Sequence, residues 1–404
     1  MKHIIWDFNG TLLDKDDQAV KTVKKADGTL EALVNLAPMS VNVFKKAEVE
    51  FTAAESVGAQ TAVLENDLIA YTFDDSLRLL SAYDKEFDRE LIEPGKWGNA
   101  LMLYRDYPNN YEAWDLDRHY RERAPEAAVN PAGVLQISDG AAGKLLTATL
   151  RCGKSPITQQ VRLLPGSRQL EFITQVDWQE ERRMLRVEFP TVLQSDYATF
   201  DIQFGSLRRP THENTSFDLA RFEVQLHKFM DLSENDYGAA LLNDCKYGGR
   251  VINGTIELNL LRSAKFPSLH SENGMQEFKY AFLPHAGTFA EAQIPEKAAA
   301  FNREPLMLFD VDASNCRLPF TLDTTNVMLA ACKRAEKSND IIVRLVERYG
   351  NVQNAVLAFD TNLIASAGEC DLMEWQESIA PATDGVLQLR FKPFEIKTIR
   401  LKRR

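Results

Sequence analysis

Short runs in which apolar and polar residues alternate, divided by turn-forming residues, make up most of this chain. Residues 68–84, LIAYTFDDSLRLLSAYD, form two such runs around Asp74 and Asp75, a pattern that predicts a β-hairpin. Residues 145–178 form three runs that are broken at GKSP and at PGSR, which predicts an antiparallel meander. Alternation with a period of two suits strands that bury one face, so the chain is expected to be built largely from antiparallel strands.

Other segments extend or interrupt this pattern. Residues 254–263 alternate, and so do residues 385–401, where Pro393 indicates a bulge or an edge position. Residues 88–130 are polar and aromatic with little periodicity, so we expect long loops there. Residues 327–337 fit a helix or a strand equally well. Regular alternation of strands with helices is missing, so we predict an all-β protein of the sandwich type.

Charge and composition restrict the class of protein. The 404 residues include 47 Lys and Arg against 58 Asp and Glu, a formal net charge of −11, and an acidic chain repels nucleic-acid phosphates. No apolar run approaches the roughly 18 residues of a membrane span, and Asp7 interrupts the apolar N-terminal stretch where a secretory signal would lie. The five cysteines are single and scattered, which favours reduced thiols. We therefore expect a cytoplasmic protein that binds neither nucleic acid nor membranes.

The chain begins with MKHIIWDFNGTLLD, an apolar run that delivers the carboxylate of Asp7 into a turn. This start resembles that of haloacid-dehalogenase-type phosphatases, in which the corresponding Asp accepts the phosphoryl group. Asn9 stands where those enzymes commonly carry a second Asp, and an amide does not shuttle a proton as a carboxyl group does. We expect residues 1–14 to be an edge strand or a tail and Asp7 to be idle; the alternative is a phosphatase that uses Asp7.

A longer resemblance covers about residues 18–404. Residues 204–267 contain the patterns RPTH.NTS.D.ARFE, DLSE..YG.ALLNDCKYG and L.LLRS.K.P, and this stretch resembles the C-terminal β region of glycoside hydrolase family 38, the α-mannosidases, in its cytosolic and bacterial branch. The resemblance implies a large β-sandwich (a supersandwich of the galactose-mutarotase type) followed by a smaller β-sandwich module. We predict four segments: a phosphatase-like stretch at 1–17 that is not a domain, a β linker at 18–60, the large sandwich at 61–289 and the C-terminal module at 290–404.

The resemblance also implies an activity. The family hydrolyses terminal α-mannosides with retention, through a glycosyl intermediate on an Asp, and a zinc ion held by His and Asp grips the sugar. Those residues lie on an N-terminal α/β barrel and just after it, and no position here matches them. The histidines also lack H-x-D or H-x-x-x-H spacing; they are His3, His119, His212, His227, His270 and His285.

We therefore predict no catalytic residue, no metal ligand and no cofactor in this chain, with zinc expected in the barrel. The chain is expected to be a truncated, split or chimeric form of an α-mannosidase that is inactive alone. It would support the barrel and help to line its sugar site, and weak carbohydrate binding of its own is a further expectation. Its expected partners are α-mannosides or mannose-containing oligosaccharides and either a barrel domain or another copy of itself. The alternative is α-mannosidase activity when a separate chain supplies the barrel.

The loop Asn243–Gly248, NDCKYG, is the first candidate for binding a sugar. Asn243 and Asp244 supply polar oxygens, Lys246 an ammonium and Tyr247 an aromatic face, and sugars are held by such mixtures. The resemblance implies that loops of this region reach the barrel's sugar site. The alternative is a tight turn in which Asn243 and Asp244 bind backbone amides.

Two further stretches carry candidate residues. Asp115 and Asp117 lie in NNYEAWDLDRHY and could contact substrate, although carboxylates two residues apart in a loop more often face water; a loop that packs on the barrel rim is a further alternative. His212 lies in RRPTHENTS with two arginines and could contact a sugar or an anion, or join a buried polar network between two sheets. Residues 177–189, DWQEERRMLRVEF, are expected to present a solvated charged face.

Overall fold

The computed structural model describes residues 2–6, 11–14, 16, 18–24, 30–36, 42–47, 56–303, 305, 317–375 and 381–404. The chain divides into two compact units. The first unit comprises Met1–Leu36, Val43–Phe200 and Arg208–Pro305. The second unit comprises Ala37–Asn42, Asp201–Leu207 and Leu306–Arg404. The predicted segment boundaries, at residues 17, 60 and 289, stay predictions.

The N-terminal strands pair in two small antiparallel sheets. They are β1 Lys2–Trp6, β2 Thr11–Leu13, β3 Thr22–Lys24, β4 Leu30–Asn35 and β5 Lys45–Ala47. Strand β1 is the edge of the sheet β1-β4-β3, and β2 pairs with β5. The antiparallel pairing of β1 with β4 differs from the parallel sheet of a phosphatase. Asp7 and Asn9 themselves lie outside the described residues.

In the described residues from 56 to 305, twenty strands and two α-helices follow. The first ten strands are β6 Ser56–Ala59, β7 Thr61–Glu65, β8 Ile69–Asp74, β9 Leu79–Asp84, β10 Arg89–Glu90, β11 Ala100–Arg105, β12 Glu126–Ala127, β13 Leu135–Gly140, β14 Gly143–Cys152 and β15 Ser155–Leu163. The next ten are β16 Leu170–Trp178, β17 Arg183–Pro190, β18 Tyr197–Ile202, β19 Gly205–Pro210, β20 Val224–Gln225, β21 Phe229–Ser233, β22 Tyr237–Asn243, β23 Gly248–Ile252, β24 Thr255–Arg262 and β25 Gly274–Ala286. The helices are α1 Ser216–Ala220 and α2 Ile294–Phe301, and a 3-10 turn spans Arg118–Glu122.

These strands form three sheets that share one apolar core. The four-stranded sheet has the order β10-β9-β8-β7, and the six-stranded sheet has the order β12-β11-β17-β24-β23-β20. The ten-stranded sheet has the order β19-β18-β21-β22-β25-β16-β15-β14-β13-β6. Core side chains come from all three sheets, for example Tyr71, Phe189 and Phe172. The all-β architecture predicted from the sequence is confirmed.

The two most regular sequence predictions are confirmed strand by strand. Strands β8 and β9 pair as an antiparallel hairpin, and β14, β15 and β16 form an antiparallel meander. A two-residue turn, Asn253 and Gly254, joins β23 to β24 with φ values of 45° and 78°. Positive φ at both central residues is the geometry that a tight hairpin requires.

Strand β22 is apolar on both faces because both faces are covered. Tyr237, Ala239 and Leu241 point into the main core, whereas Ala240 and Leu242 pack with α2 in a second apolar cluster. The sequence YGAALLN therefore reads as a continuous apolar run rather than an alternation. This burial makes β22 a rigid support for the loop that follows it.

The expectation of long loops over residues 88–130 is wrong in part. Strand β11 lies inside this segment and occupies an interior position of the six-stranded sheet. Its sequence ALMLYR is largely buried on both faces, so it lacks the alternation by which an exposed-face strand is detected. Residues 106–125 do form loops around the 3-10 turn.

The second unit is a smaller set of two antiparallel sheets. Its strands are β26 Phe320–Leu322, β27 Val327–Arg334, β28 Ile341–Glu347, β29 Gln353–Phe359, β30 Ile364–Cys370, β31 Val386–Phe391 and β32 Ile396–Arg403. The sheets have the orders β26-β29-β31 and β27-β28-β32-β30, and Leu345, Leu357 and Phe391 belong to their shared core. The ambiguous segment 327–337 is thus a strand at its start. Pro393 lies between β31 and β32, where the chain changes sheets, rather than at a bulge or edge.

Among the helices in the described ranges, none is long and apolar enough to cross a membrane. The four cysteines in those ranges form no disulfide with one another.

Candidate functional site

The loop between β22 and β23 is held by its first residue. Asn243 is buried, its side-chain amide donates to the carbonyl of His227 at 2.8 Å, and its Oδ1 accepts from the backbone N–H of Lys246 at 2.7 Å. Asp244 Oδ2 accepts from the backbone N–H of Lys279 at 3.1 Å. Both side chains therefore bind backbone groups and hold the turn in place. The second carboxylate oxygen of Asp244 is buried without a hydrogen-bond partner in the described part of the chain.

The later residues of the same loop reach the surface. Tyr247 is 63% exposed and meets the His227 ring edge-to-face at 5.7 Å. The Lys246 ammonium lies 4.5 Å from the centroid of the Phe278 ring. Burial and the neighbouring Asp244 raise the pKa of Cys245 to about 11, so this thiol stays protonated at neutral pH. The loop thus displays an aromatic face and an ammonium on a turn fixed by buried amide contacts.

The two predicted carboxylates of the 106–117 loop have different surroundings. Asp115 is exposed, and its backbone carbonyl accepts from the Arg262 guanidinium. Asp117 Oδ2 accepts from the backbone N–H of Asn109 at 2.7 Å and from the amide of the same residue at 2.8 Å. Asp117 therefore closes its own loop, while the Asp115 carboxylate is the one that faces solvent.

His212 contacts residues of its own segment. Its Nδ1 accepts from the backbone N–H of Asn214 at 3.4 Å and lies 3.8 Å from Asp218 Oδ2. Asp218 and Thr215 form a capping box at the start of α1. These contacts order the segment between β19 and β20.

An ionic network that the sequence reading missed lies on the outer face of the six-stranded sheet. Arg186 on β17 is fully buried, with Nη1 at 2.5 Å from Glu223 Oε1 and Nη2 at 2.9 Å from Glu257 Oε2. Arg121 contacts the same two carboxylates at 3.1 and 2.7 Å. Arg250 adds a contact to Glu257 at 3.1 Å. Two glutamates are thus neutralised by three arginines.

The solvated face predicted for residues 177–189 is wrong at this position. Leu185, Val187 and Phe189 point into the core, so Arg186 necessarily points to the opposite face of the sheet. That face is covered by the 3-10 turn, whose Tyr120 packs with Tyr104. The one sequence signal was the presence of charges between the apolar positions of two neighbouring strands, in MLRVEF and in TIELNL.

The charges of the network shift the pKa values of Glu257 and Glu188 in opposite directions. Burial opposes the ionisation of Glu257, but Arg186, Arg121 and Arg250 outweigh it and lower its pKa. Burial, and then the Glu257 charge, raise the pKa of Glu188, which accepts from the hydroxyl of Tyr104 at 2.5 Å. Glu257 is therefore stabilised in its charged form, whereas Glu188 binds a proton more readily than an ordinary glutamate.

The network joins two of the three predicted stretches. Tyr120 follows the Asp117 loop and donates to Glu223, and Glu223 follows the His212 segment. Glu223 also borders a cleft of about 400 Å³, which is lined by Arg209, Ala220, Arg221, Glu223, Val224, Gln225, Tyr247 and Gly248. The arrangement can bind a polar ligand that has an apolar face. It offers no acid–base pair, because the Glu223 carboxylate is already engaged by Arg186, Arg121 and Tyr120.

No group of three or more His, Cys, Asp and Glu in the described ranges could hold a metal ion. The zinc implied by the sequence resemblance therefore has no ligand set among those residues.

Comparison with protein-family models gives two matches. Residues 64–270 match the glycosyl hydrolases family 38 C-terminal domain, and residues 326–399 match the glycosyl hydrolases family 38 C-terminal beta sandwich domain. The chain belongs to glycoside hydrolase family 38. The family resemblance expected from the sequence is confirmed, and both matched regions are C-terminal domains of the family.

Similar proteins of known name are α-mannosidases. The chain is 35% identical to human alpha-mannosidase 2C1 over 375 residues, which cover 90% of this chain and 36% of that protein. It is 32% identical to alpha-mannosidase G of Dictyostelium discoideum, over 86% of this chain and 33% of the relative. This family 38 chain thus spans about a third of the length of the relatives it matches.

Solved structures of the family share its fold. An α-mannosidase from Enterococcus faecalis V583 superposes with a TM-score of 0.69 at 15% identity, covering 98% of this chain and 51% of that one. Another family 38 protein from Enterococcus faecalis gives a TM-score of 0.68 at 17% identity, covering 98% of this chain and 53% of that one.

Proposed function

We propose that this chain is the non-catalytic β region of a retaining α-mannosidase, which supports an α/β barrel and helps to line the sugar site of that barrel. Two observations support this. The matched family models are both C-terminal domains, and the similar proteins of known name are α-mannosidases of about three times its length. The barrel would belong to the same enzyme or to a separate chain, and self-association is the other arrangement that we propose.

The observation that carries the sugar-lining role is the geometry of the loop Asn243–Gly248. Asn243 and Asp244 fix the turn, and Tyr247 of the same loop lines the cleft with its ring exposed. The Lys246 ammonium lies 4.5 Å from the centroid of the Phe278 ring. An aromatic face can stack on a sugar ring, and an ammonium can donate to its hydroxyls. Both groups are positioned before a ligand arrives, which reduces the entropic cost of binding.

We propose that the residues that carry out hydrolysis lie outside this chain. Retaining hydrolysis needs a nucleophilic carboxylate and an acid at the leaving oxygen, and we propose that the barrel supplies both together with zinc. The ligands would be α-mannosides or mannose-containing oligosaccharides, which the chain alone would bind weakly. A cytoplasmic location is proposed from the scattered single cysteines.

The test is the release of nitrophenol from an aryl α-mannoside. We expect none from the purified chain, with or without added zinc, and activity after a family 38 barrel fragment is added. In the mixture, Lys246→Ala and Tyr247→Ala should raise KM more than they lower kcat, because both act by holding the sugar. Lys392→Ala, an exposed lysine of the second unit, is the matched control.

Two results would contradict the proposal. Zinc-dependent cleavage by the chain alone would mean that catalytic residues lie within it. Kinetic constants of the Lys246→Ala and Tyr247→Ala mixtures that equal those of the Lys392→Ala control would remove the loop from the sugar site.

A further inference from the structure

Arg209, near the end of β19, is a half-buried cation that has no ion pair with an acidic side chain among the described residues. Its guanidinium stacks 5.5 Å from the centroid of the Phe200 ring, and Nη2 donates a long bond of 3.4 Å to the carbonyl of Gln225. Its Nε is buried and has no hydrogen-bond partner in the part of the chain that the structure describes. Desolvated cations are normally paired with an acid, so this position is unusual.

The charge that acts most strongly on Arg209 has the same sign as its own. Burial, and then the guanidinium of Arg221, lower the pKa of Arg209, which stays charged at neutral pH because arginine titrates far above it. Among the described residues, the acidic partner of Arg221 is Asp218, at 3.9 Å. Asp218 also accepts from the hydroxyl of Thr215 at 2.7 Å. The contrast is Arg186, which lies between two glutamates within 2.9 Å.

Both arginines line the same cleft as Tyr247. The cleft has a volume of about 400 Å³ and is broadly open to solvent. Glu223 is the acidic residue of its lining, and the contacts of that carboxylate with Arg186 and Arg121 neutralise it. The cleft is therefore a positively charged place on a chain whose net charge is −11.

We propose that Arg209 and Arg221 form an oxyanion subsite, which takes the phosphate or carboxylate of a sugar whose ring contacts Tyr247. An oxyanion would supply the acidic partner that Arg209 lacks among the described residues and would offset the repulsion between the two guanidinium groups. Planar guanidinium donors suit phosphate and carboxylate oxygens in particular. The sugar half of this inference rests on the proposed function, whereas the anion half stands on the two arginines alone.

The experiment is calorimetric titration of the full chain with mannose, mannose 6-phosphate, mannuronate and inorganic phosphate. We expect mannose 6-phosphate or mannuronate to bind at least about tenfold more tightly than mannose, because hydrogen bonds from a guanidinium to a charged oxygen are stronger than those to a neutral hydroxyl. The two anionic sugars show whether phosphate or carboxylate is preferred. The difference in affinity between the anionic sugars and mannose should become smaller as the salt concentration is raised.

Three variants locate the effect. R209Q and R221Q should each abolish the preference for the anionic sugar, and Arg221 is 57% exposed, so its replacement leaves the fold intact. R208Q is the matched control, because Arg208 is the exposed neighbour that stacks on Tyr197 at 4.8 Å. Melting curves of the three variants check that they fold.

The outcomes separate this inference from the proposed function. Equal affinity for mannose and mannose 6-phosphate, or equal binding by R209Q and R208Q, overturns the subsite and leaves the proposed function standing. Inorganic phosphate that binds as tightly as mannose 6-phosphate, and only when both arginines are present, supports the subsite and contradicts the sugar contact. Binding of none of the four ligands overturns the subsite.

Discussion

Replacing Arg186 by Met should destabilise the first unit strongly. The substitution keeps a long apolar side chain on β17 and removes the guanidinium that lies between Glu223 and Glu257. Removing one partner of a buried ion pair costs about 3–5 kcal/mol, because the remaining charge stays buried. Arg121 continues to contact both carboxylates, so we expect the lower value, about 3 kcal/mol.

The assay is differential scanning calorimetry of the full chain at neutral pH. In a domain of this size, 1 kcal/mol corresponds to roughly 2–4 °C in Tm, so the transition of the first unit should fall by roughly 6–12 °C. Arg183→Met is the matched control on the same strand. Its contact with Glu126, at 3.1 Å, involves a carboxylate that is 53% exposed, so its loss should cost about 1 kcal/mol or less.

A double variant tests the physical cause. If the uncompensated carboxylate is the origin of the cost, adding Glu257→Gln to Arg186→Met should recover part of the lost Tm. A Tm for Arg186→Met within 2 °C of the Arg183→Met control would refute the reasoning. So would a double variant whose Tm loss equals the sum of the two single losses.

Three further predictions concern pH, backbone and the N-terminus. Because burial and the Glu257 charge raise the pKa of Glu188, this group contributes stability below its ordinary pKa and loses it as the pH rises. Glu188→Gln should therefore raise Tm at pH 7.5 and leave it unchanged near pH 4, and a lower Tm at pH 7.5 would contradict this. Gly254→Ala should lower the free energy of unfolding, measured with urea, by about 1–3 kcal/mol. The reason is that φ is +78° and a Cβ would lie 2.7 Å from the carbonyl oxygen of Thr191. An unchanged urea midpoint would count against this prediction. Asp7→Asn should not alter hydrolysis of an aryl phosphate with magnesium, and turnover that disappears in the variant would show a phosphatase.

Local signals in the sequence were sufficient for the hairpin β8–β9 and for the meander β14–β16. In both, the alternation and the turn residues lie within a few positions of the pairing that they determine. The same local signals were insufficient for β11, which is covered on both faces and therefore does not alternate.

The sequence predicted which loop belongs to the candidate site but not how the residues of that loop are arranged. The sequence identified NDCKYG as a loop with sugar-binding chemistry and left open whether it was a turn. The structure shows that Asn243 makes the turn while Tyr247 is displayed. Which residue of a loop faces inwards depends on what its neighbours bury, and the carbonyl that holds Asn243 belongs to His227, 16 residues away.

The sequence by itself determined the class of fold and the family, because period-two patterning and long motifs are properties of contiguous residues. Only the tertiary structure decided that Arg186 is buried and that Arg209 lies beside Arg221 in a cleft. The outward face of β17 is covered by Tyr120, 66 residues earlier in the chain, and a strand's own sequence is the same whether that cover is present or not. Burial, and with it the energy of every charge in the site, is set by segments that meet only after the chain has folded.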